Sequence, residues 1–337
     1  MLPLLPGLRR LRSGLAVVIL VAAAVGCSSG ASPDDTGART FTLGLIPGAQ
    51  SFIDFVMDRH GILDSVGLTA ERVESLSPAN LHLMIAERQV DIGFAGFTTM
   101  ATARSQGKDV IVIGGVFSPV NKVFVQPDSP VKALSDLRGR KLGLFGGPGS
   151  TTFMFLAVLA RNWHGIDLQK DVELVTAPGP ALVELLERGD IDAALVGTTE
   201  SIQLSSQGRF AVLTDLSDEY RQRRGGRAPA HVTVATNEQF AQANADIVRD
   251  YMTAYSMTLD YIDSHPEVWD EYGPTINMSS PEELALLREM MGPNLTRQWD
   301  GDQIDVQNQF LQLVHDIMGP DVLAEIPPDL IRDDYRP

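Results

Sequence analysis

Val90-Asp91-Ile92-Gly93-Phe94, with Gly96-Phe97-Thr98-Thr99 after it and Ser105-Gln106-Gly107 further on, has a second copy in the same chain. The copy reads Ile191-Asp192-Ala193-Ala194-Leu195, then Gly197-Thr198-Thr199-Glu200, then Ser206-Gln207-Gly208. Asp91 stands as far from Gly107 as Asp192 does from Gly208. In each copy a short apolar run reads as a strand, a Gly/Thr loop follows, and a helix closes on Ser-Gln-Gly. Repetition of a whole strand–loop–helix unit implies two lobes built on one plan.

The surroundings of each copy extend that plan. Residues 40–45 alternate as a first strand, ended by Pro47-Gly48, and a helix follows from Ser51 with Phe52, Phe55 and Val56 at helical spacing. Helices are expected over 81–86 and 100–105, and strands over 90–94 and 110–116. Residues 119–132, rich in Pro, Asp and Ser, read as a connector. The alternation then restarts: strand 142–145, the glycine-rich turn 146–150, helix 151–163, strand 172–176, helix 181–187, strand 191–196 and a short strand at 211–213. Apolar strands alternating with helices indicate parallel sheets covered on both faces. The basic stretch 221–227 reads as a solvated hinge-side turn. Residues 231–236 form another strand, Asn237 can cap a helix, and 246–262 is a long amphipathic helix. The remaining tail, helical in pieces, is expected to buttress the first lobe. The division that follows is 40–121 with 229–337 for lobe 1, and 122–228 for lobe 2.

The ends carry a different message. Arg9, Arg10 and Arg12 precede an apolar run over 15–25 that is shorter than the roughly 20 residues a spanning helix needs. This is the pattern of a signal peptide over 1–26. Ala24-Val25-Gly26-Cys27 resembles the lipobox of bacterial lipoproteins, so Cys27 is the expected lipidation site and 27–39 a flexible tether. Cys27 is the only cysteine, which leaves no thiol for a disulfide, a thiolate metal site or redox chemistry. Loss of the three arginines with the signal peptide takes the formal charge from −16 to −19. So acidic a body is a poor partner for nucleic acid, whose affinity comes from Lys and Arg neutralising phosphates.

Several stretches together are recognisable. Asp136-Leu137-Arg138-Gly139-Arg140-Lys141-Leu142-Gly143, then Gly149-Ser150, then Leu186-Glu187-Arg188-Gly189-Asp190-Ile191-Asp192-Ala193-Ala194, resemble the second lobe of periplasmic solute-binding proteins of ABC importers. The nearest branch binds nitrate, sulfonates and taurine, or pyrimidine precursors of thiamine. The resemblance implies an α/β, two-lobed periplasmic-binding-protein type II fold with two crossovers, here with a C-terminal helical extension. It also implies a ligand between the lobes, closure on binding, and ABC permease and ATPase subunits as partners. A monomer lipid-anchored on the extracytoplasmic face of a bacterial membrane is the expected form. Members of this branch often carry Trp-Glu-Pro after the Asp-Ala-Ala strand. This chain has Val196-Gly197-Thr198-Thr199-Glu200-Ser201 instead, with Glu200 near the place of the family's glutamate, so ligand identity does not carry over.

In open sheets, ligands bind beyond the carboxyl ends of strands, where helix N-termini offer free N–H groups. Four loops qualify: 47–51, 96–99, 147–152 and 197–200. Their candidate ligand-binding residues are Gln50, Ser51, Gly96, Phe97, Thr98, Gly149, Ser150, Thr151, Thr152, Gly197, Thr198, Thr199 and Glu200, with Asn121 at the first crossover. The loops hold no Lys or Arg. A carboxylate at Glu200 would oppose an inorganic anion, so a small polar organic molecule with an amine or heteroaromatic ring fits better. Phe97 and Phe117 could stack on a flat ligand or belong to the core.

Enzyme signatures do not appear. No nucleophile elbow, phosphate loop or dinucleotide glycine fingerprint is present. The six histidines are scattered with no pair at metal-ligand spacing, so neither a metal nor a cofactor is expected. Cytosolic relatives of the fold that make a pyrimidine precursor use a cysteine-rich motif and iron, and that motif is missing. A ligand-presenting sensor or accessory lipoprotein remains the alternative to transport.

Overall fold

Ten strands form two five-stranded sheets in a computed structural model that describes residues 39–337. The first contains β1 (Arg39–Leu45), β2 (Leu68–Glu74), β3 (Ile92–Gly96), β4 (Val110–Phe117) and β10 (Val232–Asn237), in the order β2-β1-β3-β10-β4. The second contains β5 (Lys122–Val125), β6 (Lys141–Leu144), β7 (Glu173–Thr176), β8 (Ala193–Leu195) and β9 (Ala211–Asp215), in the order β7-β6-β8-β5-β9. The expected signal peptide, tether and Cys27 lie outside the described residues.

Neither sheet is wholly parallel, which corrects the sequence reading. β10 runs antiparallel to β3 and β4, and β5 antiparallel to β8 and β9, while the remaining pairs are parallel. Chain direction at the crossovers explains the exception. The chain leaves β4 at the interlobe side and enters the second lobe there, so β5 must run away from the gap. β10 enters the first lobe the same way. Two strands escaped the sequence reading. β5 lay inside the stretch read as a connector, and β2 is mostly exposed on one face, without an apolar run. The basic stretch is also more ordered than expected: Arg221, Arg223 and Arg224 close the helix Leu216–Arg224.

The duplicated plan is visible atom by atom. Asp91 Oδ2 accepts the Thr42 N–H at 2.8 Å, and Asp192 Oδ2 accepts the Lys141 N–H at 2.9 Å. Each aspartate thereby ties the entry of its strand to a parallel neighbour in its own lobe, β1 for Asp91 and β6 for Asp192. Gly44 and Gly143 let a helix lie flush on the sheet. A Cβ on Gly44 would stand 2.6 Å from Leu81 Cδ1, and one on Gly143 2.7 Å from Leu182 Cδ2. The first loops match too: Ser51 Oγ donates to Ile46 O at 2.7 Å, and Ser150 Oγ to Phe145 O at 3.5 Å.

The tail does more than the sequence suggested. It does reach the first lobe, where Leu330 O accepts the Val112 N–H at 2.8 Å and Arg332 N donates back to Val112 O at 2.8 Å. Yet the helix Gly301–Met318 packs against Thr151–His164 of the second lobe, and Pro281–Met291 against Thr198–Gln207. Phe310 lies 4.7 Å from the ring of Phe155 and 6.1 Å from Tyr220, all three fully or almost fully buried. One apolar cluster thus runs from Met100 and Val112 through Phe155 to Phe310 and Val314. The reason is periodicity: the apolar face of Gly301–Met318 (Phe310, Leu311, Val314, Met318) is continuous, and both lobes present surface to it.

Candidate functional site

Four strands end at the gap between the sheets, and each hands over to a Gly-bearing turn. β1 leads to residues 46–51, β3 to the helix Phe97–Ser105, β6 to 145–150 and the helix Thr151–His164, and β8 to the helix Thr198–Gln207. Gly146 and Gly147 have φ of 77° and 75°, a left-handed turn that side chains with a Cβ adopt at a cost. Ser150 caps the next helix by accepting the Phe153 N–H at 3.2 Å. These turns enclose a cavity of about 240 Å³.

Most of the residues singled out from the sequence line it: Gln50, Gly96, Asn121, Gly149, Ser150, Thr151, Thr152, Gly197 and Thr198. Ile46, Phe94, Phe145 and Val232 supply apolar wall, and Pro78, Ala79 and His82 of the helix Pro78–Ala86 cover one side. Among the described residues no Lys, Arg, Asp or Glu lines the cavity.

Five expectations come out differently. Phe97 and Phe117 are both buried in the apolar core and, unlike Phe94, neither lines the cavity. Phe97 is the first helical residue after β3, and its side chain belongs to the apolar cluster that holds Met100 and Ala101. Ser51 turns its hydroxyl back to Ile46 O. Thr98 and Thr199 hold the lobes to each other instead of lining the cavity. Thr98 Oγ1 donates to Thr151 Oγ1 at 3.0 Å, Thr99 Oγ1 lies 3.1 Å from the same atom, and Ala49 N donates to Thr199 Oγ1 at 3.2 Å. Glu200 folds away from the cavity into the space left by two glycines. A Cβ on Gly179 would meet its Oε1 at 2.2 Å, and one on Gly197 its Oε2 at 2.6 Å. Burial raises its pKa above the ordinary carboxylate value. The argument against an anion that rested on Glu200 facing the ligand therefore lapses.

Two histidines that the sequence left scattered meet here. The Gly96 N–H donates to His82 Nε2 at 3.0 Å, which places that ring's proton on Nδ1 when it is neutral. His231 Nε2 lies 2.8 Å from Thr152 Oγ1. Desolvation pulls His82 down to about 4, and desolvation with the neighbouring His82 pulls His231 down to about 3. Both rings are neutral near pH 7. No spacing signal joins positions 82 and 231; only the return of the chain as β10 does. Asn121 donates its amide N–H to Val196 O at 2.9 Å, linking the first crossover to the end of β8.

Two α/β lobes joined by two crossovers, with a cavity at the carboxyl ends of their strands, define the periplasmic-binding-protein fold. The aliphatic sulphonate binding protein SsuA from Escherichia coli shares it, with a TM-score of 0.70 at 16% identity over 89% of this chain and 94% of that one. The chain belongs to the NMT1/THI5-like family, whose model matches residues 51–268. Among sequence relatives, a putative thiamine biosynthesis protein of Haemophilus influenzae is 25% identical over 270 residues, 76% of this chain and 81% of its own. The taurine-binding periplasmic protein of E. coli is 27% identical over 228 residues, 67% of this chain and 65% of its own.

Proposed function

We propose that this protein is an extracytoplasmic lipoprotein that takes a small polar organic solute into the interlobe cavity and delivers it to an ABC importer. The observation that carries the reading is the cavity itself. It is walled by the strand-end turns of both lobes, and closing it brings hydroxyls of opposite lobes into hydrogen-bond contact. A ligand held there stabilises the closed arrangement by contacts to both halves at once. Gln50, Gly96, Asn121, Gly149, Ser150, Thr151, Thr152, Gly197 and Thr198 are the proposed binding surface, with Thr98 and Thr199 acting through interlobe contact. The names of the relatives favour sulfonate, taurine or a pyrimidine-like compound as ligand. The lining favours binding over catalysis: it offers hydroxyls, amides and two neutral imidazoles, and among the described residues no carboxylate or thiol belongs to it.

Lobe 1 as 40–121 with 229–337 and lobe 2 as 122–228 remains the proposed division, with the helices over 281–318 strapping the two. Lipidation at Cys27 is the proposed anchor.

Thermal shift against sulfonates, taurine, nitrate, pyrimidines and amines tests the central reading. A true ligand a hundredfold above its dissociation constant stabilises the protein by about 2.7 kcal/mol. No shift across the panel at millimolar concentration sinks the proposal. Deletion of the gene separates transport from sensing, because a sensor's loss leaves uptake of the ligand unchanged. Cys27→Ala should move the protein from the membrane to the soluble fraction; retention of the variant on the membrane after signal cleavage refutes the anchor.

A further inference from the structure

The basic stretch 221–227 has no part in the interlobe cavity, yet it borders a cavity of its own. This second space, of about 370 Å³, touches both crossovers: Ser118 lies shortly before Asn121 on the first, and Ala228 shortly before His231 on the second. Its charged lining is three arginines. Arg221 comes from the helix Leu216–Arg224, Arg227 follows the left-handed turn at Gly225 and Gly226 (φ 73° and 70°), and Arg297 comes from the tail. Among the described residues no carboxylate lines this cavity. In a chain with 43 acidic residues against 27 Lys and Arg, that is a local reversal of sign.

The arginines do have partners, and the partners stand outside. Arg221 pairs with Asp218, Arg227 with Asp300 and Arg297 with Asp263, whose side chains are 65%, 40% and 50% exposed. Water screens ion pairs this open, so they leave much of each guanidinium's charge to act on the cavity. Arg221 Nη2 also donates to Asn294 Oδ1, and Arg227 Nη2 to Gln298 Oε1. These neutral amides hold the guanidiniums in place without cancelling charge. Their oxygens are engaged, so the lining is rich in donors. Each guanidinium has five N–H groups, more than these bonds use at Arg221 and Arg227.

We propose that this hinge-side cavity is a second ligand site, which takes a compact di- or trianion through its carboxylate or phosphate oxygens. The planar guanidinium fork matches such oxygens in pairs, and a single charge would answer only one of the three arginines. The lining draws on both crossovers, a helix end of the second lobe and the tail, so a bound anion joins four segments at the hinge.

Calorimetric titration of the mature wild-type chain with citrate, pyrophosphate and acetate at matched ionic strength tests this. Citrate or pyrophosphate binding one-to-one, and at least tenfold tighter than acetate, supports the site. No binding of either at millimolar concentration, or acetate binding as tightly, overturns it. Arg221→Gln and Arg227→Gln should each weaken the polyanion by about tenfold to a hundredfold, the loss expected for a hydrogen bond to a charged group. Unchanged affinity in both variants places the anion elsewhere and overturns the site. Both arginines also hold the tail, so a measurement on the wild type stands beside the variants: phenylglyoxal modification mapped by peptide mass spectrometry. With the polyanion at ten times its dissociation constant, modification of Arg221 and Arg227 should slow about tenfold by mass action. Arg188, exposed and outside the lining, should react as before. Equal rates at Arg221 and Arg227 with and without the polyanion overturn the inference. The two cavities share no lining residue, so failure here leaves the solute-binding reading standing.

Discussion

Replacing Gly96 by alanine should hold the lobes apart. Gly96 has φ −65° and ψ 125°, a conformation open to any residue, so the change costs nothing in the backbone. Its new Cβ, however, would stand 2.3 Å from Thr151 Oγ1 and 3.1 Å from Thr151 Cβ, across the gap. Relief requires the lobes to separate by about 1 Å or Thr151 to leave its rotamer, and either loosens the hydroxyl cluster with Thr98 and Thr99. Overpacking of this kind costs about 1–3 kcal/mol. That cost falls on the closed arrangement alone and weakens binding roughly five- to 150-fold. Titration of any panel compound that binds the wild type measures it, with the melting temperature of the unliganded protein as control. The nearest first-lobe atom to the new Cβ is His82 Cε1, at 3.3 Å, so that control should move little. Thr151→Ala in the same chain removes the clashing oxygen and should recover much of the Gly96→Ala loss, giving a non-additive double-mutant cycle. Wild-type affinity in Gly96→Ala, or strict additivity in the cycle, refutes the idea that contact at this point sets closure.

Other consequences can be checked on the unliganded protein. Phe97→Ala should lose about 3–5 kcal/mol in urea unfolding, because a fully buried ring leaves a cavity; a small loss with impaired binding would return Phe97 to the ligand site. The depressed pKa values of His82 and His231, about 4 and about 3, mean that the unfolded chain takes up protons the folded one refuses. Stability should therefore fall as pH drops from about 6.5 towards 4, by about 1.4 kcal/mol per pH unit for each ring. Unfolding of the wild type and of His82→Gln/His231→Gln at pH 7 and pH 5 isolates this contribution, and parallel pH profiles would contradict it. Glu200 has the opposite sign: its pKa is raised, so the folded state loses stability as pH rises past the unfolded value. Glu200→Gln should accordingly raise the urea midpoint at pH 7 and do less at pH 4.

Much of this architecture was written locally. The strand–loop–helix duplication at Asp91 and Asp192 announced two lobes because each aspartate bonds a backbone N–H within its own lobe, a local requirement that leaves the same residue in both copies. Asn237 was legible as a helix cap for the same reason, since its side chain bonds an N–H three residues on. The turns around the cavity were legible as well, through glycines next to hydroxyl residues. The direction of β5 and β10 was not, because apolar pattern reports burial and not the sense in which a strand is entered. Nor were the true faces of Phe97 and Glu200, which depend on how a helix start is rotated over its sheet. His82 and His231 had no shared sequence signal; β10 brings them together from the far side of the second lobe. The tail's hold on both lobes likewise follows from an apolar stripe whose partners only three-dimensional packing selects. Sequence determined which elements form and that they form twice, since those choices are settled within a few residues. Tertiary structure decided which polar atoms end up buried without a partner, since that depends on everything packed around them.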